Sequence, residues 1–215
     1  MAHRAGGRER GAAPGDPRDP GALAYLRDYE LLVNSVPFPS AVFDHRWDVV
    51  LANSAFDALF GEVGAHPTAM PDDNFLRFVL FHPDAGRVLG DHEASWCLPM
   101  LAHFARAVEE HPKDGVLQSV RREIARDPIM EAAYRQGLPH WLRAVGQRAV
   151  EHDGSVRPLR HPDPRWGHTH CRVVGATPRA LEGMGYRHLT LVLRERPRRA
   201  PHGSRRHLRA VPAGG

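Results

Sequence analysis

Cysteine is scarce in this chain of 215 residues: Cys97 and Cys171 are the only two, far apart and in unrelated contexts. A secreted scaffold stapled by disulfides carries more of them at close spacing, so reduced thiols are expected. Long apolar runs are also missing. Ala22 to Val33 is broken by Arg27, Asp28 and Glu30, and Phe75 to Phe81 by Arg77, so nothing reaches the roughly 20 apolar residues of a membrane span. The basic segment Met1 to Pro20 has no apolar stretch of the kind a secretory signal needs, and a cytoplasmic location is expected. Lysine is nearly absent, with Lys113 alone against many arginines. The GxSxG, GxxxxGK[ST], GxGxxG and HExxH patterns are lacking, which removes the usual signatures of hydrolase, nucleotide, dinucleotide and zinc-protease chemistry. No enzyme and no cofactor are expected.

What is present suits a globular fold. Hydrophobic residues make up 42% and charged residues 25%, which excludes collagenous and wholly disordered classes. The net charge of +4 suggests nucleic acid, but much of the excess sits in two tails. Arg4, Arg8 and Arg10 lie at the front; Arg194, Arg196, Arg198, Arg199, Arg205, Arg206 and Arg209 lie at the back. Such charge runs are usually solvated, and tails over residues 1–21 and 196–215 are expected to be disordered around one domain at 22–195.

Helical spacing of Leu23, Leu26 and Val33 predicts a first helix ending before Pro37. Ser40-Ala41-Val42-Phe43 and Trp47 to Ala52, joined by Asp44-His45-Arg46, predict a hairpin. Asn53 and Asn74 read as N-caps of helices over Ser54 to Phe60 and Phe75 to Phe81. Longer helices are expected over His92 to Glu110, with Trp96, Met100, Phe104 and Val108 at four-residue steps, and over Gly115 to Gln136, broken near Asp127 by Pro128. Leu138 to Val150 extends the helical region. Strands follow at Arg157 to Pro162, His168 to Val174 and His188 to Leu193. Strand groups at both ends with helices between them imply an α+β, PAS-like antiparallel sheet with a block of helices on one face.

Phe43, Trp47, Phe56, Phe60, Phe75, Phe78, Phe81, Trp96 and Phe104 crowd one half of the chain, as core, as the wall of an apolar ligand cavity, or both. Cys97, following Trp96 on an apolar helix, reads as a core thiol. His168 and His170 share one face of a strand with Cys171 on the other; with His161 they could ligate a metal, or simply face solvent, and no metal site is assigned.

Asp44-His45-Arg46-Trp47-Asp48-Val49-Val50-Leu51-Ala52-Asn53, Phe60-Gly61, Asn74 to Pro83 and Arg160-His161-Pro162, in this order, resemble the ligand-binding domain of MmyB-type bacterial transcription regulators. The resemblance runs from about Leu31 to Leu193. Such domains accompany a helix-turn-helix of the XRE class in actinobacteria and relatives. The resemblance implies a PAS-like fold, a cavity for a fatty-acyl or similar apolar molecule, and frequent dimerisation. Trp47 and the helix from Asn74 to Phe81 would help enclose that cavity. The candidate ligand-binding residues are therefore Phe43, Trp47, Phe60, Phe75, Phe78, Trp96, Met100 and Phe104, with Arg77 as a partner for an anionic head group or as an exposed helical arginine.

Three departures stand out. Only about twenty polar residues precede the first helix, too few for a helix-turn-helix, so direct DNA reading is not expected. The chain is longer than the family pattern between Gln136 and Arg157, and Tyr134 stands where Trp is expected. The functional expectation is a transcription-linked sensor domain acting through a homodimer or a partner regulator. The alternatives are a nucleic-acid-associated protein using the Arg-rich tail, or an interaction module without ligand.

Overall fold

A computed structural model describes residues 19–146 and 151–194. The expected tails therefore fall almost wholly outside the described residues, and so do the last four residues of the predicted helical extension to Val150. Helix α1 spans Pro20–Ser35, starting two residues before the expected onset. Asp19 sets that start: its side chain accepts from the backbone N–H of Ala22 at 3.0 Å, and Pro20 occupies the first turn, where no N–H is needed.

The hairpin is β1 Ser40–Phe43 and β2 Val49–Ala52. Helices α2 (Ser54–Phe60) and α3 (Phe75–Phe81) follow, capped as expected by Asn53 and Asn74, whose side chains accept from Phe56 N and Arg77 N. A short α4 (Ala85–Val88) leads to α5 (Leu98–Glu110), α6 (Gly115–Arg126), α7 (Pro128–Ala132) and α8 (Leu138–Val145). The break between α6 and α7 falls at Asp127, where Pro128 was expected to force it.

Two segments depart from the expected α-helices. Glu93–Cys97 and Ala133–Gly137 are π-helical turns, closed by Leu98 N–H to Glu93 O and Leu138 N–H to Ala133 O. Each runs into a Leu-Pro step. Pro99 and Pro139 have no N–H to give the fourth residue back, and their rings crowd that carbonyl, so the turn widens by one residue.

Strands β3 (Val156–Arg160), β4 (His168–Gly175) and β5 (Arg187–Arg194) complete one antiparallel sheet of order β2-β1-β5-β4-β3, with α9 (Arg179–Gly183) between β4 and β5. The two terminal strand groups thus meet where β1 pairs β5, with Ala41 opposite Leu189. The fold is α+β, with the helical insert covering one face.

The opposite face is not bare. Tyr29 and Val33 of α1 and Leu181 of α9 pack on Val42, while Ala41 and Phe43 point into the main core. Successive β1 side chains alternate faces, so covering both sides buries all four residues of the strand. Under α1 the contact is polar as well as apolar. His188 Nδ1 lies 2.8 Å from the Tyr29 hydroxyl, and its Nε2 lies 2.6 Å from Ser40 Oγ.

Candidate functional site

The space between sheet and insert is lined from both layers by Pro39, Phe43, Trp47, Phe56, Phe75, Trp96, His152, Arg157, Val173, Leu189 and Leu191. Local structure fixes the aromatic members. Trp47 has φ +68°, a left-handed conformation that costs a bulky residue on the order of 1–3 kcal/mol. Its neighbours hold it there. Asp44 Oδ1 accepts from the N–H of Arg46 at 2.8 Å and of Asp48 at 2.9 Å, and Phe75 N–H donates to Trp47 O at 3.0 Å. Asn74 adds bonds to Arg46 O and Asp48 Oδ1, tying α3 to the hairpin. The Trp47 indole is thereby turned against Phe43, with ring centroids 5.5 Å apart.

Trp96 is fixed from the other end of the chain. Its indole N–H donates to Pro158 O at 3.0 Å, and Gly90 N–H reaches the same carbonyl at 3.1 Å. A Cβ at position 90 would meet Pro158 at 3.1–3.3 Å, tight enough that β3 would have to yield by a few tenths of an ångström, so glycine here suits the close approach of insert and strand.

The polar wall is the part of the site that sequence reading missed. Arg157 is 5% exposed, donates through Nη2 to His152 Nδ1 at 2.8 Å and through Nε to Ser155 Oγ at 3.2 Å, and lies 5.1 Å from the Trp96 ring. His152 stacks on His103, centroids 3.6 Å apart and planes 8° from parallel, and both rings meet the Trp47 indole edge-on. Burial, reinforced by Arg157, Arg187 and Arg106, pushes His103 down to about 3; burial, with His103 and the Arg157 and Arg187 cations, drives His152 well below its ordinary value. Both rings are neutral at pH 7. Burial likewise pulls Arg157 down to about 10, which leaves it charged.

Of the residues expected at the cavity, Phe43, Trp47, Phe75 and Trp96 line it. Phe60, Phe78, Met100 and Phe104 are buried in the same core but face other side chains: Phe60 meets Phe78 at 5.1 Å, and Phe104 meets Tyr134 at 5.9 Å. Arg77 is not among the lining residues. Its Nη2 pairs with Glu123 at 2.6 Å and its Nε donates to Thr68 O. A charge signal was available for Arg157 in the alternation of β3, where it sits at an inward position between exposed Val156 and half-buried Pro158. Nothing in the spacing marked His103 or His152.

The cavity is small, about 20 Å³, enough for a water molecule or a group of that size. A guest-sized chamber was expected. The void bounded by Trp47, Trp96, His152 and Arg157 is smaller than that.

The remaining candidates resolve simply. Cys97 sits 3.4 Å from His92 Nε2, but burial, with Glu93 nearby, pushes its thiol up to about 12, so it stays protonated and is a poor nucleophile. His168 and His170 lie on the outer face of β4, while Cys171 points inward. Among the described residues, no three His, Cys, Asp or Glu side chains gather where a metal could be held. Arg160 and His161 line a polar groove of about 280 Å³ with Asp84 and Arg87. No described helix is long and apolar enough to cross a membrane.

Residues 27–163 match the model of a family described as MmyB-like transcription regulator ligand binding domain. A comparison with curated proteins found no match.

Proposed function

The chain belongs to the family of MmyB-like transcription regulator ligand binding domains, and from that premise we propose that its ligand is a small, largely apolar molecule of fatty-acyl type held between sheet and helices. Ligand binding then alters the surface through which the domain associates with itself or with a partner regulator, in the cytoplasm. The observation that carries this reading is the cavity wall: Phe43, Phe56, Phe75, Trp96, Val173 and Leu191 converge from both layers on one apolar space. An acyl chain needs more room than about 20 Å³, so binding selects a more open conformation in which lining side chains have moved.

Organic extraction of purified protein followed by mass spectrometry is expected to release a lipid-like molecule. Adding decanoate or myristate is expected to raise the thermal midpoint, because a ligand bound only by the folded state stabilises it by mass action. An empty extract together with an unmoved midpoint overturns the reading. The small void favours a second reading, an interaction module whose interior is filled by its own side chains. That reading expects the unmoved midpoint.

A further inference from the structure

The charges of this chain are not spread evenly. Residues 54–145, the helical insert, carry 13 acidic side chains against nine basic ones. Residues 151–194 carry seven arginines against four acidic side chains, and residues 195–215 carry six arginines against one glutamate. Strands β3, β4 and β5 contain no Asp or Glu at all. Their register decides where the basic side chains go. Arg160 lies opposite His168, His170 opposite Arg194, and Arg172 between Val156 and Val192. Directly opposed residues share a face, so these all point away from the insert, whose side of the sheet takes Leu159, Cys171, Val173 and Leu191.

On the outer side α1, which carries Asp28 and Glu30, packs with α9 over β1 and β2, and the basic positions of β3 to β5 lie beyond them, exposed. Arg172 Nη1 donates to Gly154 O at 2.7 Å and Arg160 Nη1 to Gly86 O at 3.0 Å, single bonds that leave each guanidinium further donors. Two acids flanking these strands are engaged elsewhere: Asp163 by Arg165, and Asp153 by Gly175 N–H. Arg172 and Arg194 are diagonal neighbours on adjacent strands, about 7–8 Å apart, near enough to grip one polyanion together.

We propose that this outer sheet face, with the arginines that follow Arg194, binds the phosphate backbone of duplex nucleic acid. Guanidinium forks match phosphate oxygens in geometry as well as charge. The acidic insert covers the opposite side of the sheet and so faces away from the polyanion. No aromatic side chain lies on the face for an unpaired base to stack on, which points to a duplex over a single strand. Val156, Pro158 and Val192 are too small to anchor the face in a lipid interface. Contacts confined to phosphates carry no sequence information, so binding is sequence-independent. This surface is separate from the apolar-ligand reading, and neither needs the other.

The test is fluorescence anisotropy of a labelled 20-base-pair duplex titrated with the full chain at pH 7.5. Binding is expected at 50 mM NaCl, with equal affinity for two unrelated sequences. Three phosphate contacts predict a loss of about 40-fold in affinity at 200 mM. Arg172→Glu with Arg194→Glu should weaken binding at least tenfold at 50 mM. Arg122→Glu with Arg126→Glu makes the same charge change at exposed positions of α6 and should weaken it less than threefold. The milder pair Arg172→Gln and Arg194→Gln should cost severalfold, and decides the matter if charge reversal unfolds the protein. Absence of binding at 50 mM overturns the proposal. So does an equal loss in the α6 pair, which makes net charge the cause. Full affinity in the face variants, lost when Arg196→Gln, Arg198→Gln and Arg199→Gln are combined, assigns binding to the tail alone and overturns it too. Tighter binding to vesicles of equal phosphatidylglycerol and phosphatidylcholine than to the duplex replaces the nucleic acid with a membrane.

Discussion

Lowering the pH from 7.5 to 5.0 is expected to cost this fold about 2 kcal/mol through His103 alone, with His152 adding to the loss. A histidine in the unfolded chain titrates near 6.5. In the folded protein burial holds His103 down to about 3 and His152 well below normal, so below pH 6.5 the unfolded chain takes up protons that the folded chain refuses. The sign follows directly: stability is whole above about 6.5 and falls as the pH drops towards the folded values. A group that stays neutral in the folded chain contributes a slope of about 1.4 kcal/mol per pH unit, hence about 2 kcal/mol from His103 by pH 5.0, and His152 adds to it in the same direction. Even the His103 contribution is an appreciable part of the 5–15 kcal/mol typical of a domain. His92, His161 and His188, all lowered by burial, act in the same direction. Asp44, raised by burial, acts in the opposite one. Asp114, held low by hydrogen bonds from Leu117 N–H, Arg46 and His45 against the opposing effect of desolvation, matters only below the ordinary carboxylate range. Urea unfolding followed by far-UV circular dichroism at pH 7.5, 6.5 and 5.0 measures the loss by linear extrapolation. His103→Phe keeps a flat ring, removes one ionisable group, and should recover about 2 kcal/mol of the loss. A stability that changes by less than about 1 kcal/mol across this range, or a His103→Phe protein with the unmodified slope, would refute the argument.

Three other outcomes are expected. Asn53→Ala should destabilise by about 3 kcal/mol in chemical denaturation, since this buried side chain accepts from Ser40 N and Phe56 N and donates to the carbonyls of Val33, Val36 and Phe38, and the change leaves several of these groups unpaired. Trp96→Phe should cost about 1–3 kcal/mol by the same assay, through the lost indole bond to Pro158 O and the volume left behind. Neither thiol should react with Ellman's reagent in the native protein, and both should react in 6 M guanidinium chloride, because Cys97 and Cys171 are buried with their thiols pushed up to about 12; rapid native labelling of either would contradict this.

Much of this architecture is written locally in the chain. Asn53 and Asn74 cap their helices because a short polar side chain can reach amides only two or three residues ahead, and neighbouring sequence suffices to see it. Alternation exposes His168, His170 and Arg172 and buries Thr169, Cys171 and Val173, a pattern that needs only the two-residue period of a strand. The hairpin, the break at Asp127 and the order of strands around a helical insert follow from similarly short-range features, and the family resemblance rests on blocks of contiguous residues. The π-turns at Glu93–Cys97 and Ala133–Gly137 are local as well, since Pro99 and Pro139 follow each one and widen it.

The interior belonged to the tertiary structure. A cavity is what remains between surfaces contributed by Phe43, Trp96, His152 and Leu191, and its volume depends on side-chain positions to within an ångström, which no periodicity encodes. Periodicity could say that Phe78 and Phe104 are buried, but not that they pack against other rings while Phe43 and Trp47 border the void. It could not pair Arg77 with Glu123, nor stack His103 on His152 from 49 positions further along the chain. The depressed His103, His152 and Arg157 values arise from desolvation by those distant neighbours. Local sequence determined which segments fold and where they stop; packing between remote segments determined which polar groups, among them His103, His152 and Arg157, were enclosed.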